Sequence, residues 1–344
     1  MSYRVGVVGA SGFTGAELLR LLAGHSGMEP VVATSREFVG RDIASVYPNL
    51  AAYAGRPYDD LDHERLEKLD LVFLALPHGA SMEPGARLAA AGTRVVDLSA
   101  DFRLHDPASY PEWFGSAHIA PEWLGKWAYG LPELHRDEIK GHHAVANPGC
   151  YPTAALLALA PLVRERLIEP DSIVVAAASG VSGAGRGLAP GTHFSHVDAN
   201  FKAYSVVGHK HTPEIEQELS RLSGADVTVT FVPHLVPMAR GLLATCTARL
   251  TAGADASRVG ETAAAFYASE PFVRVTQSPP ETKYTAGSNA CHVWAAADPR
   301  TGRAIAIAAI DNLGKGAAGQ AIQNANLMLG LPETLGLSTE GQYP

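Results

Sequence analysis

The chain opens on a short valine-rich run, Tyr3 to Gly9 (YRVGVVG), that breaks into glycine, the pattern of a buried parallel strand entering a tight turn. In the segment Ala16 to Ala23, Leu18, Leu19, Leu21 and Leu22 give one apolar helical face, and Glu29 to Thr34 (EPVVAT) returns to strand composition. Together these form one β-α-β unit. Apolar runs at 71–76 and 94–98 flank a helix-like stretch at 83–91, continuing the alternation of a doubly wound sheet. After Cys150 the pattern changes: one helix, then runs at 172–178, 226–232, 242–250 and 304–310 that predict a sheet with helices on it. The segment Asp311 to Leu329 begins polar and glycine-rich and continues as a good helix former, so it is expected to pack back on the first domain. The expected fold is α/β: a discontinuous Rossmann-type domain with a parallel sheet over 1–149 and 312–344. A second, α+β domain over 150–311 would carry catalysis, substrate binding and oligomerisation.

With 344 residues, 47% of them hydrophobic, the chain is long enough for two buried cores. Its net charge of -8 gives no basic excess for a phosphate backbone, so no nucleic acid partner is expected. The opening residues lack a basic leader followed by a long apolar run, and no stretch offers about 18 uninterrupted apolar residues. A cytoplasmic protein without membrane insertion is the expectation. The three cysteines, Cys150, Cys246 and Cys291, are too few and too far apart for a disulfide framework or a paired metal site.

Between the first strand and helix lies GASGFTG, with Gly9, Gly12 and Gly15, a variant of the dinucleotide fingerprint with two residues between its first glycines. Glycine serves where the turn needs positive φ, where backbone approaches a pyrophosphate and where helix and strand pack closely, and the helix N-terminus offers N–H groups to the anion. Ser11 and Thr14 add hydroxyls, and Phe13 belongs to the same turn. At the end of the second strand an acidic residue would normally meet the ribose 2′-hydroxyl. Here Ala33-Thr34-Ser35-Arg36 offers hydroxyls and a guanidinium instead, so Ser35 and Arg36 point to a 2′-phosphate and to NADP(H).

Cys150 stands in NPGCYPTA just before the helical run AALLALAPLV. The positive end of that helix stabilises a thiolate, and its N–H groups can hold the oxyanion formed when the thiolate attacks a carbonyl. Cys246 and Cys291 lie inside apolar, strand-like runs and read as small buried hydrophobes. Among 14 histidines the best acid/base cluster is GHKHTPEI (208–215), where Thr212 is expected to cap a helix with Pro213 at its first position. His211 therefore sits at the expected helix entrance, two residues after His209. The two as metal ligands lack further ligands at a convincing spacing, so no metal is expected.

These motifs, with FLALPHG (73–79), VVDLSADFRL (95–104), YGLPEL (129–134), SGVSGAGR (179–186) and AIDNLGKGAAGQAIQ (309–323), resemble the aspartate-semialdehyde dehydrogenase family, and within it the N-acetyl-gamma-glutamyl-phosphate reductases, over essentially the whole chain. The resemblance implies a semialdehyde dehydrogenase-like second domain, a Cys150 nucleophile and acid/base chemistry at the GHKHTPEI pair, where it favours His211, directly before the helix, with His209 as competitor. It makes Arg103, Arg186 and Lys210 candidates for the substrate's phosphate or carboxylate, with Arg240 weaker, and Ser182 and Gly183 a small-residue loop where substrate approaches. Asn312 and Lys315 would close over the cofactor. The implied reaction is NADPH-dependent reduction of N-acetyl-glutamyl phosphate to the semialdehyde and phosphate, in arginine biosynthesis, by a dimer or tetramer. Aspartate-semialdehyde dehydrogenase activity and a non-catalytic NADP-binding regulator are the alternatives.

Overall fold

The computed structural model describes residues 2–343. The chain forms two compact units: the first runs to Gly149 and resumes over Ala317–Leu337, and the second comprises Cys150–Gly316 with the residues from Ser338 on.

The first unit holds a six-stranded sheet of β1 (Tyr3–Val8), β2 (Met28–Ala33), β3 (Leu71–Leu74), β4 (Arg94–Asp97), β5 (Ala128–Tyr129) and β6 (Ala144–Ala146). The order is β2-β1-β3-β4-β6-β5 and every pair is parallel. The strand order reverses beside β1, where an open α/β sheet forms its ligand crevice. Strand side chains are buried on both faces, as a parallel sheet requires. Val5, Val7, Phe73 and Val96 face Leu18, Leu19 and Leu22 together with Ala321, Ile322 and Ala325 of the helix Gly319–Met328. Val8, Val72, Leu74 and Val95 face Leu66, Leu88, Phe102 and Trp127.

The second unit holds a seven-stranded mixed sheet of β7 (Ile173–Gly180), β8 (Lys202–Ala203), β9 (Val229–Val236), β10 (Leu242–Arg249), β11 (Val273–Val275), β12 (Cys291–Asp298) and β13 (Arg303–Ile310), in the order β11-β12-β13-β10-β7-β9-β8. Alternate residues of β10 and β13 are buried, the period of a sheet covered on one face. The cover is the helix Cys150–Arg164, apolar all round and buried from Tyr151 to Val163, with the helices Thr212–Ser223 and Arg258–Phe266 beside it.

Three expectations shift. The first helix begins at Phe13, not Ala16, so Thr14 and Gly15 lie in its first turn. The helix at 212–223 takes His211 as its N-cap and Thr212 as its first residue, so Thr212 does not cap it. The chain returns to the first unit at Ala317 rather than at 312, and the residues from Ser338 stay with the second. The reason is local. Asp311 bonds Arg240 and the Gly287 amide, and Asn289 and Ala286 pair with Ser338 and Gln342 through backbone hydrogen bonds.

Candidate active site

In the first unit the three glycines of the turn do different work. Gly9 adopts φ +81°, and a Cβ there would stand 2.4 Å from the Ala75 carbonyl oxygen. Gly15 allows helix and strand to touch, since its Cβ would lie 2.3 Å from the Gly9 carbonyl and 2.6 Å from Ala10 Cα. At Gly12 the nearest atom to an added Cβ is 3.6 Å away. The fold itself leaves room there, so packing within the unit does not require a glycine at that position. No acidic residue occupies the first turn of the helix Phe13–Leu22, which suits an anion at its N-terminus.

The turn is tied to the end of β2. Ser11 and Ser35 share a hydroxyl hydrogen bond of 2.8 Å, the Gly9 amide donates to Thr34 Oγ1, and Tyr47 donates to the Ser11 carbonyl. Ser35 is buried and also accepts from the Phe38 amide, so its hydroxyl organises the strand end, while Arg36 is exposed. The carboxylate that reaches this end, Asp59, is engaged by the Ala33 amide and by Arg65 at 2.6 Å.

Beyond β4 lies Arg103. Only 6% exposed, it donates from Nε to the Asn147 carbonyl (2.8 Å) and from Nη2 to the Leu98 carbonyl (2.9 Å). These two bonds tie the guanidinium to the ends of β4 and β6. Asn147 is held further by Asn324 (3.0 Å) and donates to Ala317 (3.2 Å). The same strand ends carry Asp97, Asp101 and His78, which the sequence reading passed over. Burial, then the Asp101 charge, pushes Asp97 up to about 6. His78 Nδ1 lies 2.5 Å from Asp101, which also accepts the Gly79 and Ser81 amides.

In the second unit Cys150 is the first residue of the helix Cys150–Arg164 and is half-buried. Gly316 backs it so closely that a Cβ there would lie 2.9 Å from Cys150 Cβ. Cys246, by contrast, is buried and its thiol is pushed up to about 12 by that burial, and Cys291 is equally enclosed.

The two histidines separate. His209 is 8% exposed, its ring edge-on to Tyr151, Tyr204 and Phe231 at 5.7, 5.6 and 5.2 Å. Burial, with a smaller effect from the Lys210 charge, lowers its pKa to about 4, and its Nδ1 accepts the His211 amide. His209 is therefore neutral at physiological pH. His211 sits at the helix entrance, partly exposed, 4.8 Å from His209 and 5.9 Å from Tyr151 between ring centroids. Tyr204 donates to Tyr151 Oη (3.1 Å), which donates to the His234 carbonyl (2.9 Å). Burial raises both phenols, Tyr204 to about 12, and a nearby Cys150 thiolate adds to the effect. This aromatic cage was not read from the sequence, because its members are spread from 151 to 231.

Lys210 and Arg186 are exposed. Ser182 accepts from Asn312 Nδ2 (2.9 Å), whose Oδ1 accepts the Gly241 amide (2.8 Å), and Gly183 lies beside Ser179. Asn312 and Lys315 lie just after β13. Both belong to the second unit; Asn312 bridges two loops, and Lys315, fully buried, has its ammonium 5.7 Å from the Phe272 ring centroid. Among the described residues no group of three or more His, Cys, Asp or Glu is arranged to hold a metal ion, and no helix is long and apolar enough to cross a membrane.

Residues 4–142 match the semialdehyde dehydrogenase NAD-binding domain and residues 150–312 the semialdehyde dehydrogenase dimerisation domain. N-acetyl-gamma-glutamyl-phosphate reductases from Pelotomaculum thermopropionicum and Desulforudis audaxviator are 49% and 51% identical, over 100% and 99% of both chains. The chain belongs to the N-acetyl-gamma-glutamyl-phosphate reductase family, within the semialdehyde dehydrogenases. Solved structures of lower identity share the fold. An aspartate semialdehyde dehydrogenase II from Vibrio cholerae complexed with ASA is 17% identical with a TM-score of 0.72, covering 96% of this chain and 98% of that one. An aspartate semialdehyde dehydrogenase with NADP from Candida albicans is 15% identical with a TM-score of 0.69, covering 96% and 99%. As a member of this family the chain is an oxidoreductase with a nicotinamide cofactor, and its two matched domains meet between residues 142 and 150.

Proposed function

We propose that the enzyme reduces N-acetyl-L-glutamyl 5-phosphate to N-acetyl-L-glutamate 5-semialdehyde, with Cys150 as nucleophile, His211 as acid/base and NADPH as reductant. The observation that carries it is the single half-buried cysteine at the start of a buried helix, beside an aromatic cage and a histidine pair, in a chain about half identical to named reductases. The Cys150 thiolate attacks the acyl carbon, the bond from that carbon to the phosphate oxygen breaks, and phosphate leaves a thioester; covalent capture divides one difficult step into two easier ones. Helix N–H groups at Cys150 stabilise the oxyanion. Bound NADPH supplies the hydride. His211 protonates the oxygen left by hydride transfer and then takes that proton back, so that the carbonyl re-forms as the carbon–sulfur bond breaks and the thiolate leaves.

NADP over NAD is supported by Arg36, exposed at the end of β2, and by Asp59 being engaged elsewhere. Gly9, Ser11, Gly12, Phe13, Thr14 and Gly15 would hold the pyrophosphate, with Ser35 shaping the strand end. Lys210, between the two histidines, and Arg186, just after the Ser182–Gly183 loop, are exposed cations for substrate anions. A homo-oligomer is supported by half-exposed Leu243, Trp294, Ile305 and Ile307 on the open face of the second sheet and by the exposed Leu188, Phe194, Phe201 and Val207; apolar area of this kind marks an interface. The role is a cytoplasmic one in arginine biosynthesis. The test is reduction of NADP+ with phosphate, comparing N-acetyl-glutamate semialdehyde with aspartate semialdehyde. Preference for the acetylated substrate by about a hundredfold or more supports the assignment, the upper part of what one methylene alone can supply. Preference for aspartate semialdehyde overturns the substrate and keeps the thiolate chemistry.

A further inference from the structure

Asp311 closes β13 and was read only as part of a polar, glycine-rich entrance. It is completely buried. Its carboxylate accepts Arg240 Nε (3.0 Å) and Nη2 (3.1 Å), the Gly287 amide (2.6 Å), the Leu313 amide (2.8 Å) and the Gly314 amide (3.0 Å). Its carbonyl accepts the Gly316 amide (2.9 Å), and Gly316 is the residue packed behind Cys150. One residue therefore joins the backing of the nucleophile to an arginine.

The loop bearing that arginine is fixed from the other side. Val181, Ser182 and Gly180 amides donate to the Met238, Ala239 and Gly241 carbonyls, and a Cβ at Gly180 would meet the Met238 carbonyl at 2.8 Å. Gly241, at φ +115°, donates to Asn312. The backbone is thus pinned while the Arg240 side chain stays 29% exposed, its fork turned by Asp311. A buried carboxylate that accepts this many donors has no tolerance for a donor in its place, and a guanidinium fixed in direction binds a planar or tetrahedral anion without first losing its own rotamer freedom.

We propose that Asp311 is a positioning residue: through its side chain it sets the Arg240 guanidinium, next to the turn that backs Cys150, as the binding group for an anionic group of the substrate. This rests on Cys150 being the nucleophile, as argued above. The anion is the phosphoryl group or the α-carboxylate, and both suit the fork.

The test is the reverse reaction with N-acetyl-glutamate semialdehyde, NADP+ and phosphate, in wild type, Arg240→Ala, Asp311→Asn and the double variant. Each single variant is expected to raise one KM by about 10- to 100-fold, the loss typical of a charged hydrogen bond. A rise in the phosphate KM assigns Arg240 to the phosphoryl group, and a rise in the semialdehyde KM assigns it to the carboxylate. The NADP+ KM and the rate of Cys150 alkylation should stay within about twofold, and the double variant should be no worse than Arg240→Ala, since residues acting as one unit are not additive. Losses that multiply in the double variant overturn the proposal, as does a fall in alkylation matching the fall in turnover. Should Asp311→Asn fail to fold, Arg240→Lys, which keeps the charge and removes the fork, is expected to reproduce the KM rise; wild-type KM values in it and in Arg240→Ala overturn the proposal. If wild type does not oxidise the semialdehyde, the substrate assignment fails separately, and protection of Cys150 from iodoacetamide by phosphate reads the coupling instead. Protection lost in both single variants supports it, and protection retained in either contradicts it.

Discussion

The glycine turn of the first unit is made of backbone, and the Cys150 site of the second is made of side chains. The turn occupies seven consecutive residues, 9–15, and its geometry follows from what is missing at each glycine: a Cβ at Gly9 or Gly15 would collide with carbonyl oxygens under 2.5 Å away. The Cys150 site gathers Tyr151, Tyr204, His209, His211 and Phe231 from three separate stretches of chain. A backbone-made site is fixed by local conformation, so it should fail by steric exclusion. A side-chain-made site depends on identity and environment, so it should fail by lost chemistry with the fold intact.

The largest expected effect sharpens this difference. Cys150→Ser removes the nucleophile and should lower kcat by about 10⁴-fold or more, with NADPH affinity within a few-fold and an unchanged thermal midpoint, measured by steady-state kinetics, nucleotide titration and calorimetry. Next come the histidines. His211→Asn should lower kcat by about 10²- to 10³-fold and remove a limb of the pH–rate profile, whereas His209→Asn should leave the shape of that profile unchanged, because His209, lowered to about 4, stays neutral through that range.

The glycine variants probe the backbone side. Gly12→Ala, with 3.6 Å of clearance, should fold with a normal midpoint and bind NADPH about tenfold more weakly, the cost of roughly one misplaced contact. Gly15→Ala, without clearance, should lose stability and binding together. Equal stability loss in both would break the distinction between a glycine kept for packing and one kept for a ligand.

The smallest effect is a pH dependence with a defined sign. His209 falls from an ordinary 6.5 to about 4, so between those values the unfolded chain binds a proton the folded one does not, and stability drops as pH falls through that window, by up to about 3 kcal/mol. Asp97 is raised from 3.8 to about 6, which works in the opposite sense: its contribution is present at low pH and is lost as pH rises through about 6. Urea midpoints between pH 4 and 8 should show His209→Phe flattening the acid-side loss and Asp97→Asn gaining stability at pH 7 and above.

This contrast also explains what could be read from the sequence. Strand and helix periodicity placed β1 to β4, the helix after Cys150 and β7, β9, β10 and β13 to within a few residues, because apolar period is a local property, and β12 was read only as a strand-like run around Cys291. The short β5, β6, β8 and β11 were missed, being two or three residues long. Cys150 stood out because its helix starts immediately after it, and Gly9, Gly12 and Gly15 because their spacing is local. The contacts of Arg103, Asn312 and Lys315 were not legible, because most of them reach residues distant in sequence: carbonyls of Asn147 and Leu98, the Gly241 amide and Ser182, and the Phe272 ring. Asp311 is a further case, an inconspicuous aspartate whose importance lies in amides and an arginine up to 71 positions away.

The central claim is that Cys150 carries the acyl group. The direct measurement mixes the enzyme with NADP+ and N-acetyl-glutamate semialdehyde without phosphate and follows NADPH on the millisecond scale. The account predicts a burst of about one NADPH per active site, the signature of an accumulating acyl-enzyme, with the thioester found by mass on the Cys150 peptide and no burst from Cys150→Ser. A burst of the same size from Cys150→Ser, or an acyl group on another residue, would contradict it.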